Sequence, residues 1–137
     1  MGYTHYFENM TDLHALSDTA MAQLEKIFLL YGSLVQYEND DNKAAVVKKD
    51  HIRFNGINDE GHETFLWRPV KHFFFCKTAQ KEYDIVVCLV ILTLKQEYGR
   101  AFQLMSDGDE KDWKLAFETF QRLFSIRPDS SWFSQYE

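Results

Sequence analysis

The chain has 137 residues, a net charge of −6, 45% hydrophobic residues and 16% aromatic residues. This is the length of one domain, with enough rings to build a core without disulfides or metal. Its acidity disfavours general nucleic-acid binding, which needs clustered Lys and Arg to neutralise phosphates.

Gly2 to Phe7 reads as a strand, with Tyr3, His5 and Phe7 on one face and Thr4 and Tyr6 on the other. A helix follows, with Ser17 as its N-cap and Ala20, Leu24, Ile27, Phe28 and Tyr31 at helical spacing. Gly32 is placed to stand just past its end. Leu34 to Tyr37 reads as a short strand, Asn39 to Asn42 as a turn, and Ala44 to Val47 as a return strand or a helical turn. His51 to Phe54 and His62 to Arg68 are the arms of a hairpin, which Pro69 stops.

Lys71 to Cys76 is the next strand. From Glu82 to Gly99, length decides for a helix over a strand, because about seventeen residues is long for a strand. Ala101 to Met105 is a strand, and Ser106 to Asp109 is a turn rich in N-cap residues. The last helix has the cleanest periodicity, through Trp113, Ala116, Phe117, Phe120, Leu123 and Phe124. The tail after residue 127 either folds back or packs loosely. The expected fold is a single α+β domain over residues 1–137, an antiparallel or mixed sheet backed by helices. The element order contains the ferredoxin-like βαββαβ pattern plus a C-terminal helix.

Three constellations carry chemistry. The turn Lys77-Thr78-Ala79-Gln80-Lys81 opens onto a helix start at Tyr83 and Asp84, where lysines and backbone N–H groups suit a small phosphate or carboxylate. The glycines of a Walker loop are missing there. His5, flanked by Tyr3 and Tyr6, is a candidate base or ligand contact, expected near His62 or Thr64. The alternative is a structural histidine satisfied by its neighbours. Cys76 beside Lys77 is the third, a weak candidate nucleophile.

No metal site is expected. The five histidines lack HxxxH or HExxH spacing, and His72 and Cys76 on one strand would stand about 13 Å apart. Neither cysteine belongs to a CxxC pair, so Cys76 and Cys88 are expected to be reduced and packed as small apolar groups. No cofactor is implied. There is no basic start followed by an apolar run, and the run from Ile85 to Leu94, about ten residues, is too short to span a bilayer. A cytoplasmic protein without membrane contact is expected.

GYTHYF at 2–7, FNG at 54–56, HETF at 62–65, FCKTAQKEYDIVV at 75–87 and SDG at 106–108 together resemble a family of small proteins frequent in phage and prophage genomes. The resemblance spans most of the chain and implies a small accessory protein, in the host cytoplasm if phage-encoded, that modulates a host protein or defence system. It implies no settled activity, so the sequence leaves open whether the protein is an enzyme. The motif positions it carries over are His5, Asn55, Glu63, Lys77, Thr78, Lys81, Tyr83, Asp84, Ser106 and Asp107. Gln80 and Glu82 stand where the family pattern has Arg and Pro, which removes one strong bidentate phosphate donor. Two functions follow: binding a host protein through an aromatic-rich surface, or binding or processing a phosphate-bearing, nucleotide-like ligand at the Lys77–Asp84 turn. Oligomeric state is left open.

Overall fold

The computed structural model describes residues 2–38 and 43–133. The turn expected at 39–42 and the end of the tail, with Tyr136, lie outside the described residues. Among the described residues, seven strands and three α-helices follow one another as β1 (Thr4–Asn9), α1 (Asp18–Tyr31), β2 (Val35–Gln36), β3 (Val46–Lys48), β4 (His51–Gly56), β5 (Phe65–Trp67), β6 (His72–Lys77), α2 (Asp84–Tyr98), β7 (Phe102–Ser106) and α3 (Glu110–Phe124). The α+β class holds.

The strands form two sheets. In the first, β1 is central and runs antiparallel to both β6 and β7, in the order β6-β1-β7. In the second, β4 pairs antiparallel with β2, β3 and β5. The central first strand and the β6-α2-β7 crossover match a ferredoxin-like plan. The hairpin strands depart from it, because they build a sheet of their own and no ladder joins β5 to β6. The second arm is shorter than the expected His62–Arg68 because 62–64 peel away. Glu63 turns to the edge of β6, where its N–H donates to Lys77 O at 3.1 Å.

Aromatic rings lock the two sheets together. Phe65 lies between Phe7 of the first sheet and Phe54 of the second, with centroids 5.0 and 4.9 Å away, and Phe7 also stacks on Phe74. Asn9, at the far end of β1, is buried and fully used. Its amide donates to Arg68 O and Val70 O, each at 2.7 Å, and its carbonyl accepts from Trp67 Nε1 at 2.9 Å.

The apolar run is a helix, as its length requires. α2 is buried continuously from Val86 to Leu94, and it packs against α1, α3 and β7. A helix covered on all sides needs no polar face, which is why periodicity could not identify it. Gly99 ends it with φ 58°, a backbone that residues with side chains rarely adopt. Gly32 differs: it keeps a right-handed backbone and leads from α1 into a short 3-10 turn. Ser17 caps α1 by accepting from Ala20 N, and Asp109 caps α3 in a capping box with Asp112. In the tail, Phe133 packs on Trp113 and Phe117, and Trp132 packs on Phe120. No helix among the described residues is long and apolar enough to cross a membrane.

Candidate functional site

The start of β1, the bend between β6 and α2, and the corner after β7 meet at one end of the first sheet. Thr78 N donates to Tyr3 O at 3.0 Å, and Asp107 N donates to Thr4 O at 2.9 Å. Thr4 N donates in turn to the Asp107 carboxylate at 3.0 Å. Strand pairing sets the rest, because alternation turns His5 inward and the register puts it opposite Cys76 on one side and Ser106 on the other.

His5 is fully buried, and both ring nitrogens are engaged. Nε2 lies 2.7 Å from Asp84 Oδ1, and Nδ1 lies 2.8 Å from Ser106 Oγ. Tyr3 and Trp113 hold the ring edge-on, with centroids 5.1 and 5.0 Å away. Ser106 Oγ accepts from Gly108 N at 2.9 Å and from Trp113 Nε1 at 3.1 Å. A hydroxyl has two lone pairs and one proton. With both lone pairs engaged, the Ser106 proton is the group that faces Nδ1. The His5 ring therefore carries its proton on Nε2 and donates it to Asp84. The expected neighbours His62 and Thr64 make no such bond, because the loop that carries them belongs to the second sheet and folds back on Asn55.

Asp84 opens α2, and its side chain is 22% exposed. Thr78 Oγ1 donates to Oδ1 at 2.6 Å. Burial pushes the Asp84 carboxyl up, but the His5, Thr78 and Cys88 bonds outweigh it and hold the group below the usual carboxylate range. One turn on, Cys88 Sγ lies 3.6 Å from His5 Nε2 and 3.6 Å from Asp84 Oδ2. Burial first, and the Asp84 charge second, push its thiol well above the ordinary value. The same two causes raise the Tyr3 hydroxyl.

Gly108 has a steric reason. A Cβ there would stand 2.2 Å from the Tyr3 hydroxyl, so the SDG corner needs glycine for Tyr3 to pack. The lysine-bearing turn is tightly folded: Ala79 and Gln80 both take left-handed backbone, with φ 52° and 55°. Its N–H groups point into the protein, with Ala79 N reaching Tyr3 O, Gln80 N reaching Thr78 Oγ1, and Lys81 N reaching Thr78 O. Asp84 already sets a carboxylate in the first turn of α2, where it complements the helix dipole and repels a second anion.

The sequence-derived residues thus divide. His5, Thr78, Asp84 and Ser106 form one bonded group, and Asp107 braces its edge. Lys77 and Lys81 flank the group, half-buried. Tyr83 is buried and donates to Glu63 O at 2.6 Å, and the Glu63 carboxylate accepts from Lys77 N at 2.8 Å. Asn55 stands apart. Its carbonyl accepts from Gly56 N and His62 N, and its amide donates to His62 O and Thr64 Oγ1. It clamps the β4–β5 loop and has no donor or acceptor directed at the group. Cys76 is buried with its thiol raised by burial, so adjacency to Lys77 does not activate it. Cys88 and Trp113 belong to the group but were not singled out. The i, i+4 spacing of Asp84 and Cys88, which puts both on one helix face, was the available signal for Cys88.

The other face of the same sheet carries exposed aromatic residues. Tyr6, Phe73, Phe75 and Met105 point away from the core; Phe73 and Phe75 are 42% and 56% exposed, and Tyr6 stacks on Phe73. β6 is also an edge strand. Because Thr78 N bonds Tyr3 O, alternation turns the backbone groups of Lys77, Phe75 and Phe73 away from β1. At the two ends of this edge the amides are covered, Lys71 N by the Asp12 carboxylate at 2.8 Å and Lys77 N by Glu63. Between them the backbone groups of Phe73 and Phe75 meet no partner among the described residues. A separate groove runs beside α3 between Lys111, Lys114, Phe117, Arg127 and Asp129, with both charge signs on its walls.

No family model matches the chain, and neither does any curated protein or solved structure.

Proposed function

We propose that this is a small phage-type accessory protein that acts by binding a host protein, and that the host protein lays an extended segment along the edge of β6. The supporting observation is the window at Phe73 and Phe75, where two exposed rings coincide with two uncovered backbone positions. Exposed hydrophobic edges are normally blunted, because they recruit other strands. Here the blunting is confined to the ends, by Asp12 and Glu63, and the middle is left bare. Strand addition uses such an edge: main-chain bonds hold the segment, and alternate side chains give selectivity. Phe73 and Phe75 offer apolar neighbours for every second side chain of an incoming strand. Lys71 and Lys77 at the two ends favour acidic residues flanking that segment. The resemblance to phage and prophage proteins supports a host as the source of the partner.

A phosphate-bearing ligand at the Lys77–Asp84 turn has less support, because the turn's amides face inward and Asp84 repels an anion.

The test compares wild-type protein with Phe75→Asp, which changes an exposed position and should leave the fold intact. Wild-type protein should retain one host protein that Phe75→Asp does not, and the purified pair should bind with the same difference. Equal retention by both proteins, or no specific partner under several conditions, would overturn the reading.

A further inference from the structure

The cluster of His5, Asp84 and Cys88 has a use that its hydrogen bonding alone does not explain. Its three donor atoms, Nε2, a carboxylate oxygen and Sγ, lie within 4.8 Å of one another. We infer that these three side chains form a binding site for a zinc-class divalent cation, with a fourth position open to water.

The spacing fits. Tetrahedral zinc holds nitrogen and oxygen ligands at about 2.0–2.2 Å and sulfur at about 2.3 Å, which sets neighbouring donors roughly 3.3–3.7 Å apart. Cys88 Sγ stands 3.6 Å from His5 Nε2 and 3.6 Å from Asp84 Oδ2. The His5–Asp84 contact, at 2.7 Å, is made to the other carboxylate oxygen, Oδ1, so the carboxylate must shift to offer one oxygen to the cation as the cation replaces the shared proton.

The charges fit as well. A carboxylate and a thiolate with a neutral imidazole give two negative charges, which a divalent cation cancels in a buried place. Thiolate, imidazole and carboxylate together select zinc or cobalt over magnesium or calcium.

The surroundings are those of a supported ligand set. Metal-bound histidine is usually oriented through its other ring nitrogen. His5 Nδ1 meets Ser106 Oγ, and Tyr3 and Trp113 fix the ring plane. Thr78 holds the Asp84 carboxylate. Asp84 is the most exposed of the three, so water and cation enter from its side.

Binding moves two protons. Cys88 releases its thiol proton to solvent. His5 gives up the proton on Nε2, which becomes the metal ligand, and the neutral ring is then protonated on Nδ1 facing Ser106. Nδ1–H then donates to Ser106 Oγ, so the Ser106 proton turns away and one of the two bonds that Oγ accepts, from Gly108 N or Trp113 Nε1, gives way.

The test adds Co²⁺ alone, then Zn²⁺ alone, to the reduced full-length protein. One Co²⁺ per chain should bind with a thiolate-to-cobalt charge-transfer band that Zn²⁺ abolishes. The band should vanish in Cys88→Ser and persist in Cys76→Ser, with affinity in Cys88→Ser falling at least about 100-fold. Nitrogen NMR of wild-type protein should show the His5 proton moving from Nε2 to Nδ1 when Zn²⁺ is added. This second readout needs no variant and stands if Cys88→Ser fails to fold. No cobalt–thiolate band in folded wild-type protein, a band that survives Cys88→Ser, or an unchanged His5 tautomer at saturating Zn²⁺ would each overturn the site.

Discussion

The two faces of the β6-β1-β7 sheet are built from the same strands and obey opposite rules. On the inner face every polar group is met: His5 by Asp84 and Ser106, Asn9 by Trp67 and two carbonyls, and Thr78 by Asp84. On the outer face the Phe73 and Phe75 rings are exposed, and their backbone groups meet no partner among the described residues. Inner residues therefore matter for folding, whereas the outer ones add little to it and are available for contact. One residue step along a strand separates the two roles, since His5 and Tyr6 are neighbours in sequence.

The largest expected effect is on the inner face. Phe7→Ala empties a site that stacks on Phe65 and Phe74 and joins the two sheets, so it should cost about 3–5 kcal/mol in urea unfolding. A cost below about 1 kcal/mol would mean that the sheets are not locked through this ring.

Next comes His5→Ala, which leaves Asp84 and Ser106 without their shared partner. It should cost about 3 kcal/mol, and Ser106→Ala, which removes only neutral bonds, should cost about half as much. Equal costs would show that the charged bond to Asp84 adds nothing.

The acid response follows from Asp84. Its carboxyl is held below the ordinary carboxylate value of 3.8, so the unfolded chain takes up a proton before the folded one does. That contribution is complete at neutral pH, begins to fade as pH falls into the usual carboxylate range, and is gone below the folded-state value. Asp84→Asn should flatten this part of the acid-unfolding curve relative to wild type. An unchanged curve would place the acid response elsewhere.

The smallest stability effect belongs to the outer face. Phe73→Ser and Phe75→Ser should each shift unfolding by no more than about 0.5 kcal/mol, while partner binding is lost. A shift as large as that of Phe7→Ala would contradict the division between the faces.

Much of this was legible in the sequence, and the parts that were not have physical causes. Ser17, Asp109 and the period of α3 marked the helices because caps and amphipathic spacing are local signals. The central place of β1 followed from the order of elements. The separation of the hairpin into its own sheet did not, because it depends on Glu63 and Asn55 drawing the 57–64 loop aside, a contact between distant parts of the chain. Residues 5, 77–84 and 106–107 stood out in the sequence as separate polar positions, and the register of β1 with β6 and β7 brings them together. The interior of the group they form was only partly legible. Cys88 read as a packed apolar group because it lies in the most hydrophobic run, and nothing local says that one face of that run meets His5. The bare edge of β6 was also hidden, since exposure of Phe73 and Phe75 depends on which strands pair.

The most direct test of the outer face as the working surface is amide hydrogen exchange on the protein alone and bound to the host protein it retains. The amides of Phe73 and Phe75 should exchange quickly when free and become protected in the complex, with Phe74 and Cys76 slow in both. Unchanged exchange at Phe73 and Phe75, with new protection along α3 at Lys111 to Gln121 instead, would contradict it.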